Sequence, residues 1–254
     1  MIRRRWTDLV VAVGFFTRLP VYRLLPGEAE VSLRRAVWAF PLGGLVAALG
    51  PAAIFAAASL LGLPPLPAAA WSLAGGLLLT GALHEDGLAD LADAAGARDL
   101  ARRLAVMRDS RIGSFGALAL IVSSLVRVSA LAACATPGRV ALALLLAGTL
   151  SRGGILVLLL ALPPARSDGL AASLLPLPRA PAAWGLSLAL LPALPLAPLL
   201  GPLATVRALA AALLALLLCA LACRRLIGGH TGDALGAVSV AIECVVLSAC
   251  VPSG

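Results

Sequence analysis

The chain has 254 residues, of which 61% are hydrophobic and only 13% charged, and its mean hydropathy is +1.02. A soluble domain carries about 25% charged residues, so a water-soluble globule is excluded. The net charge of +8 comes entirely from Arg, and in so apolar a chain it points to anionic lipid headgroups and phosphate-bearing substrates, not to nucleic acid.

The composition predicts an all-α polytopic membrane protein, a single domain over residues 1–254 with about seven spans. Residues 6–17 are too few to cross and have Arg on both sides, which predicts an interfacial or re-entrant helix. The first span runs over about 37–62 and opens with Phe40-Pro41-Leu42-Gly43-Gly44, where small residues favour close helix packing. The second, about 68–84, is uncharged until an acidic stretch emerges from its end. Further spans are expected at about 114–135, 139–162, 182–202, 204–223 and 235–252. Pro192, Pro195 and Pro198 interrupt the fifth, which predicts a kinked helix or a half-helix pair. The five cysteines lie in or beside apolar segments and are read as small hydrophobes.

Counting Arg orients the chain. With the N-terminus in the cytoplasm, 16 Arg fall in inside segments and only Arg139 and Arg207 in outside loops. That orientation places two polar islands, 84–113 and 224–234, on the same side, as one composite site requires.

The first island holds six of the 12 acidic residues, between Glu85 and Asp109. Asp86, Asp90 and Asp93 share one helical face at i, i+4 and i+7. Oxygen ligands so grouped suit Mg²⁺ or Mn²⁺ completed by phosphates; the alternative is a solvated acidic face near a helix terminus. In the second island, Gly228, Gly229 and Gly232 let backbone N–H groups approach an oxyanion, with Thr231 as hydroxyl donor and Asp233 as a further metal ligand. The alternative there is a helix N-terminus capped by Thr231 or Asp233. Arg102, Arg103, Arg108 and Arg111 are suited to clamping a diphosphate or to anchoring the inside face. Arg127 and Arg152 lie within spans, where a charge costs at least a few kcal/mol. They either pair with Glu243 or line a substrate cavity. His84 and His230 are general-base candidates or simply polar, with His84 beside the acids the better placed.

Three motifs together resemble the cobalamin synthase family, adenosylcobinamide-GDP ribazoletransferase. They are Leu83-His84-Glu85-Asp86-Gly87-Leu88-Ala89-Asp90 through Asp93, Met107-Arg108-Asp109-Ser110-Arg111-Ile112-Gly113-Ser114-Phe115-Gly116, and Gly228-Gly229-His230-Thr231-Gly232-Asp233 through Gly236-Ala237. Phe15-Phe16-Thr17-Arg18-Leu19-Pro20 and Phe40-Pro41-Leu42-Gly43-Gly44 resemble that family's N-terminal landmarks.

The resemblance implies a Mg²⁺-dependent membrane transferase. It would join adenosylcobinamide-GDP to α-ribazole or its 5′-phosphate, giving adenosylcobalamin or its 5′-phosphate and GMP. Under it, Asp86, Asp90 and Asp93 are assigned to metal, with Glu85, Asp109 or Asp233 completing the shell. Arg108 and Arg111 would neutralise the diphosphate, with Arg152 as a further substrate contact. Gly229, Thr231 and Gly232 would cradle the diphosphate, and His84 or a carboxylate would take the hydroxyl proton. The expected location is the inner cell membrane with the site facing the cytoplasm. Lipid is an expected partner, nucleic acid is not, and a homo-oligomer is compatible with the sequence. The rival enzyme reading is a CDP-alcohol phosphotransferase, which shares Asp-Gly-x-x-Asp, but Ala89-Asp90 stands where Ala-Arg is expected. A transporter is a further alternative, and it predicts acids at mid-membrane, where only Glu243 lies; a membrane scaffold for other corrin enzymes is the third.

Overall fold

A computed structural model describes residues 2–25, 27 and 29–252. It is helical throughout, and the one β-type contact among the described residues is an isolated bridge between Pro164 and His230. The helices are α1 (Ile2–Phe16), α2 (Phe40–Leu60), α3 (Pro65–Thr80), α4 (Leu83–Ala95), α5 (Leu100–Val106) and α6 (Ser114–Cys134). They continue with α7 (Pro137–Ala161), α8 (Leu170–Ser173), α9 (Arg179–Leu190), α10 (Ala193–Leu200), α11 (Pro202–Ile227) and α12 (Gly232–Ala249). Among the described residues six spans are long and apolar enough to cross a membrane, and α3 with α4 forms a bent seventh unit.

The centre of the bundle is α7, with 78% of its most apolar window buried, against 22% for α9–α10 and for α11. Small residues put it there. A Cβ on Gly148 would lie 2.6 Å from the Gly44 carbonyl oxygen, and one on Gly44 would overlap the Gly148 carbonyl, so α2 and α7 cross backbone to backbone. Elsewhere Leu118, Ile121, Val122 and Leu125 of α6 form an exposed stripe at helical spacing, as do Leu214, Leu217, Leu218 and Leu221 of α11. Stripes of this kind face hydrocarbon when a bundle sits in lipid.

Several boundaries differ from the sequence reading. The N-terminal helix starts at Ile2, includes the three arginines and packs on α2. Its buried Asp8 accepts from Arg35 Nε at 2.7 Å and from Trp38 Nε1 at 3.2 Å. The fifth span is one kinked unit, α9–α10, broken where Pro192 removes a backbone donor. The sixth extends to Ile227 and carries Arg224 and Arg225 in its last turn, where cations complement the helix dipole.

The largest difference is at the acidic stretch. The second span does not run on to residue 84: it stops at Thr80, and α4 leaves it at 92°. Gly81 (φ +68°) and Ala82 (φ +53°) make the corner, both left-handed. Thus α3 alone, 16 residues and about 24 Å long, is the apolar part of this unit, and α4 lies outside it with the acids.

Candidate active site

Two glycines bring the islands together. A Cβ on Gly87 would sit 2.6 Å from the Asp233 carbonyl oxygen, and one on Gly236 would sit 3.0 Å from that of His84. Lacking side chains, these positions let α4 lie directly on the first turn of α12. Asp86 and Asp90 of α4 therefore come close to Asp233, although they are well over a hundred residues from it in sequence.

Asp86 is exposed, and Asp90 and Asp93 are partly buried. Burial pushes the Asp90 carboxyl up to about 6, helped by the negative charges of Asp86, Asp233 and Asp93 and opposed by Arg166. Mutual repulsion of that kind is what a divalent cation relieves. Among the described residues no group of three or more acidic, His or Cys side chains is drawn together tightly enough to hold an ion alone. The helix explains this, because Asp86 and Asp93 are separated by about 10 Å of axial rise. The donor set still fits Mg²⁺, which typically takes one or two carboxylates and completes its shell with water and substrate phosphate.

The other candidates are distributed around this rim. Asp93 accepts from the Gly113 N–H at 2.7 Å and the Gly116 N–H at 2.8 Å, so it caps α6 and ties the Asp-Ser-Arg-Ile-Gly loop to α4. Each of its oxygens keeps a lone pair. A Cβ at Gly113 or Gly116 would overlap the Asp93 carboxylate, which is why that loop is glycine-rich. Asp233 Oδ2 accepts from Arg166 Nη2 and from Thr231 Oγ1, each at 3.3 Å. Arg166 drew no attention in the sequence beyond its charge, since its contact depends on how the 163–169 segment folds back.

Thr231 itself is an N-cap, its hydroxyl accepting from the Ala234 N–H at 3.2 Å. Gly232 opens α12 with free space beside its Cα. Gly229 is bound up in packing: a Cβ there would overlap the Pro163 carbonyl, and the adjacent His230 exchanges two backbone hydrogen bonds with Pro163 and Ala165, each 2.9 Å. His230 is 1% exposed.

Arg111 pairs with Asp109 at 2.7 Å on the surface and holds its carboxyl down to about 2. Both border an open basin of about 740 Å³, together with Arg98, Arg102, Asp93 and Gly113. Arg108 pairs with Asp168 at 2.8 Å, linking this loop to the segment that carries Arg166.

Glu85 does not join the rim. It turns inward, 8% exposed, and accepts from Arg127 Nη1 at 2.6 Å. Arg152 is buried too: its Nη1 contacts Glu243 and donates to Ser151 Oγ at 2.8 Å, and its Nη2 lies 3.3 Å from His84 Nδ1. Arg127 is also 3.5 Å from Glu243 Oε2. Of the two alternatives for these arginines, the structure displays pairing with Glu243, and the same residues also line an interior cavity. Because a guanidinium only donates, His84 Nδ1 is the acceptor and the ring proton sits on Nε2. Burial, then Arg152 and Arg127, hold His84 well below the usual imidazole range, so it is neutral and a poor proton acceptor.

A second cavity, about 150 Å³, is lined by Asp86 and Asp233 of the rim and by the buried His84, Phe16, Phe40 and Leu174.

Known proteins share this chain along its length. The family model described as Cobalamin-5-phosphate synthase matches residues 8–251. The adenosylcobinamide-GDP ribazoletransferase of Bradyrhizobium diazoefficiens is 46% identical over 97% of this chain and 94% of its own. The enzyme of that name from Azorhizobium caulinodans is 45% identical over 94% and 93%. No solved structure matches. The motifs, the helical membrane fold and the full-length similarity together place the chain in the cobalamin-5-phosphate synthase family.

Proposed function

We propose that the protein is an adenosylcobinamide-GDP ribazoletransferase. Its membrane-spanning bundle is oriented with the acidic rim toward the cytoplasm, as the 16-to-2 Arg asymmetry indicates. The observation that carries the reading is the packing of α4 on α12 through Gly87 and Gly236, which gathers Asp86, Asp90 and Asp233 at one rim, with Asp86 and Asp233 lining a shared cavity.

In the proposed reaction a ribose hydroxyl of α-ribazole, or of its 5′-phosphate, attacks the phosphorus that bears the cobinamide arm. The new P–O bond forms as the bond to GMP breaks, and GMP leaves with the electron pair. Asp86 and Asp233 would hold Mg²⁺, which when bound neutralises the diphosphate and its leaving group. Asp90, between them and raised toward neutral pH, takes the hydroxyl proton. Arg166 fixes Asp233, and Asp93 fixes the loop carrying Arg111. The basin lined by Arg98, Arg102 and Arg111 takes the diphosphate and its guanosine.

The test is GMP release by detergent-purified protein given both substrates, with Mg²⁺, with EDTA, and for Asp86→Asn in Mg²⁺. Release that requires metal and falls at least 100-fold in the variant supports the assignment. No release from folded wild-type protein overturns it.

A further inference from the structure

From the 150 Å³ cavity we infer that it is the subsite for the nucleoside's base, and that Ala171 and Leu174 limit the size of base accepted. This rests on the transferase reading above.

The cavity is walled by rings and aliphatic groups. Phe16 packs edge-on against Phe40 with centroids 5.0 Å apart, and His84 lies 5.7 Å from Phe16. Ile155, Ala171 and Leu174 close the remaining sides. The polar side chains in its lining are Asp86 and Asp233 of the rim and His84, whose Nδ1 is engaged by Arg152.

That distribution selects among the three bulky parts of the two substrates. A corrin ring is far too large for 150 Å³. Guanine carries ring and exocyclic N–H donors and a carbonyl, each costing about 1–3 kcal/mol if buried without a partner. These walls offer it almost none. The benzimidazole of a ribazole has one nitrogen in the glycosidic bond and one bare acceptor nitrogen, with no donor to satisfy. It is flat, apolar and of the right order of size, and aromatic walls suit its faces and edges.

Placement gives an independent reason. A base seated among the rings leaves its ribose at the polar end, where Asp86, exposed, and Asp233, partly exposed, line the cavity. The attacking hydroxyl is thereby delivered to the carboxylate rim, while the diphosphate approaches from the open basin at the C-terminal end of α4, which Asp93 borders. Ala171 and Leu174 come from α8 and its C-cap, a short loop-borne segment preceded by Gly169 at φ +91°. Bulk on this wall can change without disturbing the spans.

The experiment pairs kinetics with binding. GMP release is measured while each substrate is varied, for wild type, Ala171→Phe and Leu174→Ala, and α-ribazole binding to each protein alone is measured by equilibrium dialysis. Ala171→Phe should raise KM and Kd for α-ribazole at least 10-fold and change KM for adenosylcobinamide-GDP less than twofold. Leu174→Ala should improve the use of a riboside with a larger fused base relative to α-ribazole. Unchanged α-ribazole KM and Kd in Ala171→Phe, with unchanged base preference in Leu174→Ala, would overturn the subsite and leave the transferase reading intact. If the wild type releases no GMP, the transferase reading fails. Dialysis then judges the cavity alone: α-ribazole bound by wild type and lost in Ala171→Phe supports it, and no binding overturns it. If Ala171→Phe does not fold, the base preference of Leu174→Ala decides.

Discussion

Gly87→Ala isolates the contact that composes the site. The added methyl would lie 2.6 Å from the Asp233 carbonyl oxygen, 2.8 Å from its Cα and 3.1 Å from its carbonyl carbon. All three are backbone atoms of another helix, so no side chain can swing aside. Reaching an ordinary contact of 3.4 Å requires α4 and α12 to part by about 0.8 Å. The helix itself gains, since Ala is favoured over Gly within a helix by about 0.5–1 kcal/mol. Loss of fold is therefore not the expected result. What changes is the separation of Asp86 and Asp90 from Asp233, and displacement of reacting groups by about 1 Å can cost about 100-fold. At 1.36 kcal/mol per tenfold, that is about 2.7 kcal/mol of transition-state stabilisation. The assay is Mg²⁺-dependent GMP release at saturating substrates, with helicity and thermal unfolding followed in the same detergent. Gly76→Ala is the control, because a methyl there meets Pro51 at an ordinary 3.5 Å. Wild-type turnover in Gly87→Ala would refute the argument that this close crossing assembles the site.

Two further outcomes are expected. Glu243→Gln leaves Arg127 and Arg152, each 3% exposed, short of a counter-charge, and should cost about 3–5 kcal/mol of stability. Thermal unfolding in detergent reads this, Glu30→Gln at an exposed pair should be nearly silent, and equal melting of the two variants would show the network to be dispensable. The second outcome concerns pH. Asp90 is raised from 3.8 to about 6, so without metal its contribution to stability is fully present below pH 4 and is lost as pH rises through 6. A bound cation and a proton-accepting role both need the ionised form. Turnover should therefore fall on the acid side, at a pH that moves down as Mg²⁺ is raised, while the Mg²⁺-induced gain in melting temperature grows from pH 5 to 7. A flat response over that range would remove Asp90 from the chemistry.

Much of the candidate site was legible because its residue types are scarce in this chain. A cluster of acids beside an uncharged segment stands out, and helical periodicity places Asp86 and Asp90 on one face. Periodicity is silent about the partner of each carboxylate. Asp93 shares that face but lies far enough along the axis to meet the α6 terminus, and there it caps two glycine amides. The corner at residues 81–82 escaped for a different reason. Gly81 is a recognisable stop, but Ala82 adopts a left-handed conformation that its side chain disfavours by about 1–2 kcal/mol, so nothing local signals it. Gly87 and Gly236 stand in the sequence motifs, but their role as a crossing was not readable there, because a glycine needed for a crossing looks like any other until the second helix is in place. Glu85 and Asp86 are neighbours with opposite orientations, one inward to Arg127 and one to the rim. That division follows from which helices flank α4.

The buried pairing of α6 and α7 with α12 also constrains how the protein is made. Arg127 and Arg152 enter the membrane in helices that precede Glu243 by roughly a hundred residues. Until α12 arrives, Glu85 is the one acid among the described residues in place near them, two guanidiniums against a single carboxylate. A nascent chain halted before α12 holds an unbalanced cation in its interior, which α12 neutralises when it is delivered. The acidic rim needs that same helix for Asp233. Neutralisation of the buried arginines and assembly of the proposed reaction centre are thus one event, and a chain halted before α12 would have no partly built centre of that kind.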